Sequence, residues 1–365
     1  MHVRESYVRR ITKMVYVGEV PVGGGSPVVI ESMTKTDTRD VKATVKQIKS
    51  LEEAGCEMVR IAVPDYEAAE ALAGIRQKSK IPIIADIHFN YKLALMALEA
   101  GADCVRINPG NIGGRENVIR TAEAARRQNA PLRIGVNAGS LDKSLLQKYG
   151  APIPEALVES ISKTVSLLED IGFTEIVISA KASRVPVTIE TYRMIANRFR
   201  YPLHVGVTEA GSPPVGIIRS AVGIGTLLAE GIGDTIRVSL TAPPEEEIKV
   251  AEEILKALFL REKGPVIISC PTCGRCEVDL MKIVKQVEKK LVNMKEPTVV
   301  AIMGCVVNGP GEAREADVGI AAGKGSALIF RKGEIIKKVA PSQAVGALLR
   351  EMKQVVKRRG KPRRR

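Results

Sequence analysis

Eight times between Val28 and Leu240 a short strand-like run is followed by a helical pattern. The runs are Val28–Ser32, Met58–Val63, Ile81–Ile87, Cys104–Asn108, Leu132–Asn137, Glu175–Lys181, Leu203–Thr208 and Thr235–Leu240. Amphipathic stretches such as Asp40–Ala54, Tyr91–Ala100, Pro154–Ile171 and Pro214–Glu230 lie between them. Alternating units of this kind imply a parallel sheet, because each helix carries the chain back before the next strand begins. Eight units predict a closed (β/α)8 barrel of the TIM type. An open doubly wound sheet is the competing architecture, and no run resembles the edge strand it needs. The segment Ile11–Val22 reads as a short hairpin able to plug the barrel bottom.

After an eighth helix over Pro244–Arg261 the pattern changes, and Lys263-Gly264-Pro265 reads as a linker. Then follow a strand (Val266–Ser269), a Cys-rich turn, a helix (Glu277–Val292), a strand (Thr298–Met303) and a second Cys turn. Ala327–Phe330 and Glu334–Val339 are expected to pair as a hairpin around Arg331-Lys332-Gly333, and Gly323-Lys324-Gly325-Ser326 to form a loop beside it. A last helix is expected over Pro341–Val356. The expected division is a barrel over 1–262 with its N-terminal hairpin, a small α+β domain over 263–356, and a basic tail over 357–365.

Side chains two residues apart share a face of a strand. In Arg60-Ile-Ala-Val63, Arg106-Ile-Asn108, Arg133-Ile-Gly-Val-Asn137 and Arg237-Val-Ser239 the branched apolar residues take one parity, which suits packing against helices. The other parity, facing the lumen, then carries Arg60, Arg106, Arg133 and Arg237 with Asn108, Asn137 and Ser239. The third strand adds Asp86 and His88, the sixth Ser179 and Lys181, and the seventh His204 and Thr208 with Glu209 just beyond. Barrel interiors are ordinarily filled by Val, Ile and Leu. Five buried cations facing two acids are unfavourable without a neutralising anion. An internal salt-bridge network is the structural alternative. A phosphate or diphosphate ligand accounts for the surplus, since arginine presents a planar fork to phosphate oxygens. The loop Asn108-Pro-Gly-Asn-Ile-Gly-Gly114 follows the fourth strand, where barrel active sites are built, and its amides could cradle an anion.

The second concentration of chemistry is Cys270-Pro-Thr-Cys273-Gly-Arg-Cys276 with Met303-Gly-Cys305-Val-Val-Asn-Gly-Pro-Gly-Glu312. Four thiols and a carboxylate near two strand ends suit zinc or an iron–sulfur cluster. A closed structural site would use thiolates throughout. A carboxylate on one iron is weaker and replaceable by substrate, which suits chemistry at the metal. Six Cys in a chain without export signals read as reduced, cytoplasmic thiols, with Cys56 and Cys104 as inert core residues. No signal peptide or transmembrane run is expected. Aromatics make up 3%, so base stacking is poorly supported and nucleic acid is not an expected partner. Part of the +14 formal charge lies in the run Lys357–Arg365, which holds seven cations and no acid.

Taken together these segments resemble the bacterial 4-hydroxy-3-methylbut-2-enyl diphosphate synthase family of the methylerythritol phosphate route to isoprenoids. The resemblance runs from Glu31-Ser-Met-Thr34 through Ala85-Asp-Ile-His-Phe89, Val105-Arg-Ile-Asn-Pro-Gly110, Gly206-Val-Thr-Glu-Ala-Gly211 and Cys270-Pro-Thr-Cys-Gly-Arg275. It ends in the Cys305–Glu312 turn and Ala316-Asp-Val-Gly-Ile320. It implies a pterin-synthase-like barrel joined to a [4Fe–4S] domain resembling a sulfite reductase half. It implies cluster ligands at Cys270, Cys273, Cys305 and Glu312, with Cys276 a bystander. It also implies the short bacterial form, in which the cluster domain follows the eighth unit directly. The implied reaction is reductive ring opening and dehydration of 2-C-methyl-D-erythritol 2,4-cyclodiphosphate, with electrons from ferredoxin or flavodoxin. The luminal cations would bind the diphosphate, and Glu209 would deliver a proton or position a hydroxyl. A homodimer is implied, with one subunit's cluster domain capping the other's barrel. The rival readings are a zinc-stabilised nucleic-acid-binding protein using the basic tail, and a pterin-binding transferase barrel with an accessory redox domain.

Overall fold

The computed structural model describes residues 8–359 apart from 293, 306–310, 312 and 313. The chain divides after Arg261 into two compact units. No described helix is long and apolar enough to cross a membrane.

The first unit opens with an antiparallel hairpin, β1 (Val15–Val17) and β2 (Val20–Val22). Eight parallel strands follow: β3 (Val29–Met33), β4 (Met58–Ala62), β5 (Ile83–Ile87), β6 (Cys104–Ile107), β7 (Leu132–Asn137), β8 (Ile176–Lys181), β9 (His204–Val205) and β10 (Thr235–Ile236). They pair in the order β8-β7-β6-β5-β4-β3-β10-β9, and a parallel bridge from Ile178 to Leu203 completes the circle. The barrel expected from the eightfold pattern is therefore present. The helices are α1 (Val41–Ala54), α2 (Tyr66–Arg76), α3 (Tyr91–Glu99), α4 (Arg115–Arg127), α5 (Lys143–Tyr149), α6 (Pro154–Asp170), α7 (Val185–Arg198), α8 (Val215–Ala229) and α9 (Pro244–Ala257). Local chemistry sets their starts: Asp40, Asp65 and Asn90 accept the amides of Ala43, Ala68 and Lys92 at the first turns of α1, α2 and α3.

The outward parity of the strands (Val28, Ile30, Val59, Ile61, Ile83, Ile107, Ile134, Ile178) packs with the inner faces of the helices into the main core. The inward parity at the strand starts (Val29, Met58, Ile84, Cys104) forms a separate apolar plug with Val17 and Val22 of the hairpin. The bottom of the barrel is thereby sealed, and polar inward residues begin only above it. At the top, the buried carboxylate of Glu247 accepts Ser32 Oγ (3.2 Å) and Leu240 N–H (3.1 Å) and lies 3.0 Å from Lys35 Nζ, which ties β3 to the segment after β10.

The last two barrel strands are shorter than expected. Only His204–Val205 and Thr235–Ile236 pair in ladder register, although Arg237 N–H still reaches Val205 O at 2.9 Å. A side chain at Gly206 would sit 2.5 Å from Arg237 O, so the two backbones approach too closely there for any residue but glycine.

The second unit is a five-stranded sheet, β11 (Pro265–Ser269), β12 (Thr298–Met303), β13 (Val318–Gly323), β14 (Ser326–Arg331) and β15 (Glu334–Val339), paired in that order. The first three strands run parallel and the last three antiparallel. Helix α10 (Leu280–Leu291) and a final helix, Ala344–Arg359, bury Leu280, Val287, Leu291, Ala347, Leu348 and Met352 against Val300, Ile302, Val318 and Ile320. Strand β13 was not foreseen. Its Gly319 lies where a Cβ would strike the Phe330 ring, so small residues replace the branched ones that usually mark a strand. Helix α10 starts three residues later than expected, because 277–279 continue the Cys turn and Asp279 caps the helix by accepting Lys282 N–H. The final helix runs through Arg359, into the run expected as a free tail, because lysine and arginine suit a helix C-terminus.

Candidate functional site

Above the plug the lumen is polar and charged. Arg106 donates through Nη1 to Asp86 Oδ1 (3.0 Å) and lies 3.2 Å from His88 Nε2, while Nη2 donates to Gly135 O (3.1 Å). Arg60 stands 3.6 Å from the other oxygen of Asp86. Arg133 lies 2.6 Å from Glu31, with both side chains at 1% exposure or less. Lys181 Nζ is 2.8 Å from His204 Nε2, and His204 Nδ1 is 2.7 Å from Thr235 Oγ1. Two glycines make room for this network. A Cβ at Gly135 would overlap the Arg106 guanidinium, and one at Gly206 would sit 3.0 Å from Lys181 Nζ. Arginine and lysine thus fill the volume that neighbouring strands leave empty, as large and small residues do in an apolar barrel.

The electrostatics follow from burial and crowding of like charge. Burial, then Arg60 and Arg237, push the Lys181 amine well below its ordinary pKa. Burial and the Lys181 charge do the same to His204. Burial and Arg60 lower Arg237 to about 10. Burial alone would raise the Asp86 carboxyl, but Arg60, His88 and Arg106 overrule it and hold it well below the usual range. Burial alone would lower Arg133, but Glu31, joined by Cys104 and Asp86, overrules it and raises the pKa. The Arg237 Nε–H and the Arg133 Nε–H are buried without a hydrogen-bond acceptor. The described lumen holds Arg60, Arg106, Arg133, Lys181 and Arg237 against Glu31 and Asp86, with Glu247, itself 3.0 Å from Lys35, acting on Arg237 from the rim.

Glu31 is the acid that sequence reasoning missed. Its signal was available: Val28, Ile30 and Ser32 share one parity, which leaves Glu31 on the other, a lone acid within an apolar run. Glu209 does not take that place. It is exposed, in the left-handed region at φ 54°, beside half-buried Thr208. Ser179 and Asn108 are buried, and Asn108 donates to Ser140 Oγ at 2.7 Å. Asn137, Ser239 and His88 are partly exposed toward the strand C-termini. The loop after β6 ends in Gly114, which begins α4 without a side-chain cap.

The thiols lie at the C-terminal ends of two neighbouring parallel strands of the small unit. Cys270 follows β11 and its N–H reaches Ile302 O; Cys305 follows β12. Gly304 N–H donates to Cys270 Sγ at 3.3 Å, and a Cβ at Gly304 would sit 2.5 Å from Cys276 Sγ. The turn between is tight, with Thr272 at φ 58° and Cys276 N–H donating to Cys273 O at 2.9 Å. Cys276 itself donates to Val278 O at 3.3 Å. Among the described residues no three His, Cys, Asp or Glu side chains converge closely enough to hold a metal ion. Glu312, the expected carboxylate ligand, lies outside the described residues. The donor chemistry nevertheless fits a soft-metal cluster: partly exposed thiols on adjacent strand ends, one already receiving a backbone N–H, which tunes cluster sulfurs. Cys56 and Cys104 are of another kind, buried and pushed up to about 12 by burial, and take no part.

Two family models match the chain. One, described as GcpE TIM-barrel domain, covers residues 12–252, and one described as GcpE protein C-terminal domain covers 266–354. A protein of Thermodesulfovibrio yellowstonii named 4-hydroxy-3-methylbut-2-en-1-yl diphosphate synthase (flavodoxin) is 56% identical over 94% of this chain and 99% of its own length. Proteins of the same name from Geobacter sulfurreducens and Clostridium perfringens are 57% and 59% identical, each over 94% of this chain and 98% of its own. Among solved structures, a dihydropteroate synthase of Xanthomonas albilineans matches 67% of this chain and 98% of that one at 11% identity with a TM-score of 0.46, a likeness too weak to bear on the reaction.

Proposed function

The chain belongs to the GcpE family, and from that premise we propose that it is an oxidoreductase of isoprenoid precursor synthesis, acting on 2-C-methyl-D-erythritol 2,4-cyclodiphosphate. The product is (E)-4-hydroxy-3-methylbut-2-enyl diphosphate. A carbon–oxygen bond to the cyclic diphosphate breaks, one hydroxyl leaves as water and a carbon–carbon double bond forms. Two electrons and one proton enter: the proton leaves with the hydroxyl as water, the released phosphate oxygen keeps its charge, and the electrons come from flavodoxin, the donor in the relatives' names.

The observation that carries this reading is the surplus of buried positive charge in a barrel sealed at one end. A diphosphate entering from the mouth meets Arg60, Lys181 and Arg237, none of which is fully neutralised by Glu31 and Asp86. These cations bind the ligand and stabilise charge on the phosphate oxygen released when the ring opens. Asn108, Asn137, Thr208, Ser239 and His88 orient the sugar hydroxyls. Glu209, exposed at the mouth, handles the proton of the departing hydroxyl. Glu31 holds Arg133 and borders His204, so it acts on the geometry of the lumen and not on substrate.

For the cofactor we propose a [4Fe–4S] cluster held by Cys270, Cys273, Cys305 and Glu312, the last outside the described residues. Such a cluster supplies single electrons and a Lewis-acidic iron. The protein works in the cytoplasm as a homodimer. In support, α8 leaves Val215, Ile218 and Val222 exposed in one stripe. The test is anaerobically purified protein analysed for iron and sulfide and assayed with the cyclic diphosphate and reduced flavodoxin. Four irons and four sulfides per chain with formation of the linear diphosphate are expected. Bound zinc and a colourless protein would overturn the reading.

A further inference from the structure

The net charge of this chain is carried by its smaller half. Residues 1–261 hold 33 Lys and Arg against 31 Asp and Glu, whereas residues 262–365 hold 22 against 10. Part of that excess is the terminal run, but another part is organised on α10. Lys282, Lys285 and Lys289 are exposed at spacings of three and four, so they share one face over about 10 Å of helix. Together with Asp279, Met281 and Gln286 they line a groove. Met281 is 69% exposed, an uncovered flexible apolar side chain among the cations. Between Leu280 and Leu291 the single acid is Glu288.

The groove begins at the thiol turns. Asp279, the cap of α10, stands three residues after Cys276. Leu280 is buried against the turn, its side chain 3.3 Å from where a Cβ at Gly304 would lie, the residue before Cys305. A protein seated on α10 is therefore brought to the end of the helix that packs on the Cys turn. A polyanion that stacks bases finds no platform: Phe330 is the one aromatic residue among 262–365, and it is fully buried.

We infer that the Lys282–Lys285–Lys289 face of α10, with Met281 at its N-terminal end, is the docking surface for a small acidic electron-transfer protein. This deepens the reading above and rests on it. Complementary charge steers the encounter and sets its salt dependence, while Met281 adds an apolar contact at the end of the face nearest the thiol turns. The electrons then enter beside the thiol turns, and the near-neutral barrel unit does not compete for the donor.

The experiment uses cluster-loaded protein and two reductants, reduced flavodoxin and a small viologen dye. Two charge-reversed variants are compared with wild type, one with Lys282, Lys285 and Lys289 all changed to Glu, and one with the exposed Lys42, Lys46 and Lys49 of α1 changed in the same way. Expected is a tenfold or greater rise in the KM for flavodoxin at 50 mM salt in the α10 variant alone. That difference should shrink by 500 mM salt, and dye-driven turnover and thermal midpoint should stay near wild type. Calorimetric titration of oxidised flavodoxin should give weaker binding in the same variant. An unchanged flavodoxin KM in the α10 variant, or equal effects in both variants, overturns the assignment. So does an α10 variant that keeps its flavodoxin KM but loses retention on duplex DNA. A wild type active with the dye and indifferent to flavodoxin overturns the donor, and one inactive with both overturns the reaction.

Discussion

Lys181 is placed where its charge is least stable until an anion arrives. Burial and the nearby Arg60 and Arg237 depress its pKa, and its amine lies against His204. A bound diphosphate reverses the local field and raises that pKa, so binding must take up protons. The uptake is confined to pH values between the depressed and the restored pKa. Calorimetry of the cyclic diphosphate in two buffers of different ionisation enthalpy reads it directly, and Lys181→Met should abolish it. Equal heats in both buffers for wild type would refute the idea. Neighbouring pairs decide which arginine can be tested cleanly. Arg133→Ala would strand the buried Glu31 carboxylate and report on stability. Arg60→Met leaves Asp86 its bond to Arg106, and it should weaken diphosphate binding by about 1.5–3 kcal/mol with the fold intact. The cations were legible in the sequence because the branched residues beside them fixed the strand parity. The glycines opposite them were not, since Gly135 and Gly206 serve the packing of side chains that lie on other strands.

At the scale of elements, periodicity identified what burial enforces and failed where backbone contacts take over. The regular barrel strands and the helices with acidic or amide caps stand within a few residues of expectation. Strands β9 and β10 fall short because glycine and the close approach at Arg237 O break the ladder while the apolar alternation continues. Strand β13 escaped notice because Ala and Gly, not Val and Ile, let the sheet pack under Phe330. The hairpin β1–β2 earns its place by covering the inward ends of β3 to β6. Val17 and Val22 are fully buried there, and shortening either to Ala should lower stability by roughly 1.5–3 kcal/mol. Denaturant unfolding checks the loss. KM for the cyclic diphosphate should be unchanged, since the charged layer lies above the plug.

At the scale of the whole molecule, the sequence discloses two units and, once its residues are sorted by unit, their unequal charge. Removing residues 360–365 should leave dye-driven turnover near wild type, because no apolar residue in that run can anchor it to the site. A large loss with the dye would place the run in the active site. The exposed stripe on α8 makes a parallel prediction: sedimentation of wild type should give twice 39.4 kDa, and Ile218→Glu should give the single chain. A wild type that sediments as one chain would remove the homodimer from the proposal. The sealed floor of the barrel has its own consequence for traffic. A cup with one opening admits a molecule and discharges one through the same doorway, so the next cyclic diphosphate waits until the linear one has gone. The two should exclude each other at equilibrium, and added product should raise the KM for substrate while leaving the limiting rate untouched.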